Sequence, residues 1–261
     1  MHKPQHITDS PARAHAAPPP KRPACLRLLA LCGLLLFCPY TGNAAVAPKP
    51  ASRPAKTVQS DSYTITQRDD LYRVNISYPR LGTPVADAEL AIWAREQADA
   101  FIESVRRIPT SMPFPCELDI TYEIVAASPK VVSVVFFIST FMGGAHPDPG
   151  LATFVYERTD GRRLSYEDFF ANNQGLIQKI SQFCRAELSR QLGERVAKDM
   201  LEAGTEPVPV NFDLFVPTPS GLRIYFPPYQ AAPYSEGYLD VAIPLTDLEP
   251  FKPQRSFWDK D

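Results

Sequence analysis

Residues 116–141 read CELDITYEIVAASPKVVSVVFFISTF. Two runs rich in β-branched and aromatic side chains, 116–125 and 131–141, flank Ala126-Ala127-Ser128-Pro129-Lys130. Such side chains suit the pleated surface of a sheet, and a short break with a proline in it reads as the turn of an antiparallel hairpin. Upstream, Tyr63-Thr64-Ile65-Thr66 and 72–78 alternate in polarity around Arg68-Asp69-Asp70, which predicts a second hairpin. Between the hairpins, Thr83-Pro84 signals a helix start. Leu90, Trp93, Ala94, Ala98, Phe101, Ile102 and Val105 recur at three and four spacing, so 85–107 reads as an amphipathic helix.

Downstream, 151–157 predicts a further strand that ends at the turn Thr159-Asp160-Gly161-Arg162, and Tyr166-Glu167-Asp168-Phe169-Phe170 a short helical turn whose aromatics plug the core. Ile177, Ile180, Phe183, Cys184 and Leu188 mark a second amphipathic helix, extended by 196–201. Three closing strands follow at 211–216, 223–226 and 238–243, with turns at 217–221 and 227–237. Strands outnumber helices and no regular βαβ alternation is seen. The expected fold class is α+β, a mostly antiparallel sheet packed by two main amphipathic helices.

The first sixty residues read differently. Lys3, Arg13, Lys21, Arg22 and Arg27 face a single acid, Asp9, and lead into an apolar run at 28–38. That run is shorter than the ~20 residues a bilayer crossing needs. Gly42-Asn43-Ala44 and Ala45-Val46-Ala47 place short side chains where a signal peptidase requires them. Residues 1–45 are therefore read as a signal peptide, which predicts an exported protein, periplasmic or extracellular, with no stable membrane insertion after cleavage. Lipidation at Cys32 or Cys38 is the weaker alternative, because Leu31 and Phe37 are bulky where that chemistry wants a small residue. Residues 46–60, VAPKPASRPAKTVQS, hold too little apolar surface to offset the entropy of ordering and read as a disordered tether. Residues 61–261 then form a single domain.

Of 27 cationic and 29 acidic side chains in the chain, eight cations and one acid precede Asp61, so the domain carries a net charge near −9. An acidic surface repels nucleic acid and anionic lipid and favours cationic partners. Three of the five cysteines fall in the leader. The remaining pair, Cys116 and Cys184, predicts a disulfide in an oxidising compartment, with two buried thiols as the alternative.

Four segments carry a resemblance. They are Tyr78-Pro79-Arg80-Leu81; Gly143-Gly144-Ala145-His146-Pro147; Asp160-Gly161-Arg162 with Asp168-Phe169-Phe170; and Phe226-Pro227-Pro228-Tyr229-Gln230-Ala231-Ala232-Pro233-Tyr234-Ser235-Glu236-Gly237. In this order, across about 61–250, they resemble the RsiV-like domain family. That family includes the outer domain of a lysozyme-sensing anti-sigma factor and the non-catalytic part of a PdaC-like peptidoglycan deacetylase. The resemblance implies a free-standing, non-enzymatic binding module, with a cationic lysozyme-like protein or peptidoglycan fragments as its partner. Gly143, Gly144, His146, Tyr229, Tyr234 and Glu236 are the expected contact residues.

Taken on their own chemistry, these residues leave two readings open. His146 sits in a Gly-Gly turn before a proline, where its ring either caps backbone groups or meets a partner. The tyrosines at 225–238 either present a rigid recognition surface or cover the core. Asp168 is either an acidic contact or a helix cap. One histidine with scattered carboxylates has no metal-ligand spacing, so no metal and no cofactor is expected. No Gly-x-Ser-x-Gly elbow is present. A cell-wall hydrolase and a purely structural envelope protein are the alternatives to a binding module.

Overall fold

The computed structural model describes residues 61–108, 114–126 and 128–258; the expected signal peptide and tether lie outside the described residues. The opening hairpin forms from β1 (Ser62–Arg68) and β2 (Tyr72–Pro79), with Tyr63 opposite Tyr78. Its turn is closed by the Leu71 amide, which donates to Asp69 Oδ1 at 2.8 Å. On β2 the alternation predicted from sequence is realised: Tyr72, Val74, Ile76 and Tyr78 are buried, while Arg73 and Asn75 face water.

Helix α1 (Pro84–Arg106) starts at the proline, whose missing N–H costs nothing in a first turn. Asp87 ties the preceding loop to it by accepting from the amides of Leu81 (2.6 Å) and Gly82 (3.2 Å). Leu90, Ala94, Ala98, Phe101, Ile102 and Val105 form its buried stripe, and Trp93 packs at the margin against Phe136. The helix carries the chain back so that β3 (Cys116–Ala126) lies parallel to β2, with Tyr72 beside Cys116 and Ile76 beside Ile120. This crossover is the one parallel pairing in the described residues; β4 (Val131–Phe141) and β5 (Asp148–Glu157) add antiparallel neighbours, giving the order β1-β2-β3-β4-β5.

The first six residues of β4 are buried without alternation. Val132, Val134 and Phe136 join the core beneath α1, whereas Val131 and Val135 pack on the opposite side. An uninterrupted apolar run is what a strand covered on both faces requires. The second cover is a separate three-stranded sheet, β6 (Phe215–Thr218), β7 (Gly221–Phe226) and β8 (Leu239–Pro244). On β7, Tyr225 packs with Val135, while Leu222, Ile224 and Phe226 point to a core shared with α3 (Leu176–Leu192). The α+β class stands; the strands are divided between two sheets rather than gathered in one.

Three local expectations are corrected. The segment 177–201 is not one helix: α3 stops at Leu192 and α4 (Lys198–Gly204) begins after a short 3-10 turn. The first closing strand begins at Phe215, because Pro209–Asn211 is a 3-10 turn. Cys116 and Cys184 are free and buried. They do not form the expected staple: Cys116 belongs to the core under α1 and Cys184 to the core under α3. Burial raises both thiols, that of Cys184 to about 12.

The short helix α2 (Tyr166–Phe169) shows what Asp168 does. Its carboxylate accepts from the Ser165 amide (2.8 Å), the Ser165 hydroxyl (3.0 Å) and the Arg162 guanidinium (2.5 Å), which places Phe169 and Phe170 in the core. It is a cap, acting from inside the first turn. Burial alone would raise the Asp168 carboxyl, but these hydrogen bonds and the neighbouring Arg162 charge outweigh it and hold the group below the ordinary aspartate value of 3.8. A depressed carboxyl stabilises the fold above its ordinary value and ceases to do so as the pH falls through the lowered one. Asp168→Asn should therefore cost about 1 kcal/mol near neutrality, with the difference from wild type vanishing in strong acid; urea unfolding at both pH values checks this.

Candidate functional site

The turn between β4 and β5 and the long loop between β7 and β8 meet at one end of the molecule. Tyr238 makes the junction. Its hydroxyl lies 3.3 Å from the carbonyl oxygen of Ile138 and 3.4 Å from that of Gly150, a facing pair on β4 and β5. Its ring stands edge-on to Phe137 with centroids 5.6 Å apart. Burial, with Tyr234 alongside, raises the Tyr238 phenol, which stays a neutral donor. The loop is thereby anchored to the base of the hairpin that carries His146.

Within the hairpin turn, Gly143 adopts a φ of 86°, a left-handed value that a side chain resists, and a Cβ on Gly144 would come no closer than 3.8 Å to the His146 carbonyl oxygen. Residues 143–148 are exposed. The His146 ring has Nδ1 3.0 Å from the carbonyl oxygen of Pro147 and stacks on Tyr234, with centroids 4.0 Å apart and planes 22° from parallel. Tyr234 in turn lies 5.7 Å from Tyr229 at 32°. Three of the residues singled out from sequence, two loops and 88 positions apart, thus form a continuous aromatic strip. Offset or near-parallel ring pairs of this kind contribute about 0.5–1.5 kcal/mol each beyond the area they bury.

Tyr229, at the other end of the strip from His146, is 54% exposed, and its backbone takes φ 70°. A bulky residue in the left-handed region costs roughly 1–2 kcal/mol and persists only when its surroundings hold it there. What holds it is Gln230. The Gln230 side-chain amide donates to the carbonyl oxygens of Gly204 (3.1 Å) and Asn211 (2.9 Å), and the Tyr229 amide closes a turn onto Ala232 (2.9 Å). Ala231 and Ala232 are buried beneath. The end of α4 comes so close that a Cβ on Gly204 would sit 2.1 Å from the Gln230 carbonyl oxygen. Only glycine fits there.

Glu236, expected as a contact, is turned inward at 12% exposure and pairs with Arg195 from the turn after α3. The ion pair braces the far side of the loop instead of offering a free carboxylate. Among the described residues no three histidine, cysteine, aspartate or glutamate side chains are grouped closely enough to hold a metal ion. The sequence counts Tyr238 among the loop tyrosines and Gln230 within the 226–237 segment but gives neither a bracing role, and Gly204 and Arg195 do not stand out in it at all. Each acts on a partner far along the chain, so no local spacing announces it.

Residues 65–148 match the family model described as Deacetylase PdaC, and residues 167–246 match that of a Protein of unknown function (DUF3298). Over 181 residues, 69% of this chain, it is 25% identical to peptidoglycan-N-acetylmuramic acid deacetylase PdaC of Bacillus subtilis, of which the match spans 39%. It is 26% identical over 220 residues to immunogenic protein MPT64 of Mycobacterium tuberculosis, covering 83% of this chain and 93% of that one. A crystal structure of a DUF3298 family protein from Pseudomonas aeruginosa shares the fold, with a TM-score of 0.55 at 16% identity over 77% of this chain and 98% of the other.

Because the Tyr229 backbone is strained while its ring is exposed, Tyr229→Gly should leave stability within about 1 kcal/mol of wild type. Gln230→Ala should cost about 1–3 kcal/mol by stranding two carbonyls. Denaturant unfolding of both variants separates the displayed residue from the one that holds it. Residues 65–148 thus carry a PdaC-like domain match and residues 167–246 a DUF3298 match, and the fold is shared with a DUF3298 structure, consistent with the resemblance that the four motifs carry.

Proposed function

We propose that the chain is an exported, non-enzymatic binding module of the cell envelope, and that the His146–Tyr234–Tyr229 strip is its recognition surface. The observation that carries this reading is the strip itself: three rings contributed by two loops, His146 stacked on Tyr234 and Tyr229 tilted beside it, with the Tyr229 ring exposed. Tyrosine presented on a rigid loop buries large area on binding at small entropy cost, because its rotamers are already restricted. The strain at Tyr229 points the same way, since stored backbone strain clusters where function needs a side chain in a particular place. The leader read at 1–45 supports export.

A cationic, lysozyme-like protein is the ligand class that suits the net charge near −9 beyond residue 60. Peptidoglycan fragments are the second reading, favoured by the deacetylase relative whose name states that substrate.

Calorimetry against hen-type lysozyme and against peptidoglycan fragments, at low and moderate salt, tests both. Submicromolar, salt-sensitive heat with lysozyme is expected, weakened about tenfold or more by His146→Ala or Tyr229→Ala, as for central interface aromatics. Absence of heat with lysozyme at either salt rules out the protein ligand, and heat with the fragments alone selects the glycan.

A further inference from the structure

The exposed surface continues beyond Tyr229. Val208 and Val210 are 40% and 66% exposed, Val210 the most exposed large apolar side chain among the described residues. They do not sit on a slack loop. Asn211 donates through Nδ2 to the carbonyl oxygens of Ala203 (3.0 Å) and Glu206 (3.1 Å), the Val208 amide donates to the Glu206 carbonyl (2.7 Å), and Phe212 is fully buried next in sequence. The carbonyl of Asn211 is one of the two that receive Gln230, so the valine turn and Tyr229 are braced by the same side chain. Beside the valines, Glu202 and Glu206 are exposed and join no ion pair among the described residues.

We propose that the turn at 206–211 is a second contact region of the same surface, and that the partner it fits is a basic protein rather than a glycan. This rests on the function proposed above. Two exposed isopropyl groups held rigidly gain most by desolvation against apolar side chains, whereas a hydroxyl-lined sugar chain offers them only small C–H and methyl faces. The two unpaired carboxylates add a complementary field for a cationic protein, which speeds encounter and selects against acidic ones.

The test is calorimetry of the full chain with hen-type lysozyme as probe, at low and moderate salt. Val208→Ser combined with Val210→Ser, and Val210→Ala alone as a milder variant, should weaken binding about tenfold and about threefold at both salts, with the thermal midpoint unchanged. Glu202→Gln combined with Glu206→Gln should instead flatten the salt dependence. If the valine variants bind like wild type while Tyr229→Ala does not, the second contact region is overturned and the aromatic surface stands. If wild type gives heat with peptidoglycan fragments and none with lysozyme, the basic-protein partner is overturned, although the strip remains a binding surface.

Discussion

Burial of β4 on both of its faces is the constraint from which the rest of the architecture follows. Val132, Val134 and Phe136 need cover on one side and Val131 and Val135 on the other. The first need is met by α1, whose small residues at Ala86, Ala94 and Ala98 sit fully buried on the sheet. The second requires a layer of similar width, which β6, β7 and β8 provide. Because β7 is itself two-faced, with Tyr225 toward β4 and Leu222, Ile224 and Phe226 away from it, the small sheet in turn needs α3. Each layer leaves an apolar face that only the next can remove from water.

The His146–Tyr234–Tyr229 strip is a by-product of this layering. Stacking the small sheet on the large one brings the β7–β8 loop alongside the β4–β5 turn, and Tyr238 joins the two through the carbonyl oxygens of Ile138 and Gly150, partners across the β4–β5 ladder. Once the loop is held there and at Gln230, the order of its tyrosines is set: Tyr238 inward, Tyr234 against His146, Tyr229 outward. The same loop covers the core with Phe226, Ala231 and Ala232 and leaves the Tyr229 ring exposed.

Much of this was legible in the residues. The hairpins, α1 and the plug at Phe169 and Phe170 follow from alternation, from three-and-four spacing and from turn residues, all of which are interactions between near neighbours. His146, Tyr229 and Tyr234 stood out because glycines, prolines and exposed aromatics are costly unless they serve something. The break between α3 and α4 was less legible, because apolar spacing continues across it and only the tertiary packing decides where the helix stops.

What the sequence by itself determined is therefore most of the elements and the identity of the unusual surface residues, since these depend on the chemistry of short segments. The tertiary structure alone decided that the strands split into two sheets, that Cys116 and Cys184 fall into different cores, and that His146 stacks on Tyr234. Those outcomes depend on which apolar faces find each other across long stretches of chain, and contacts of that range leave no spacing in the sequence from which to read them.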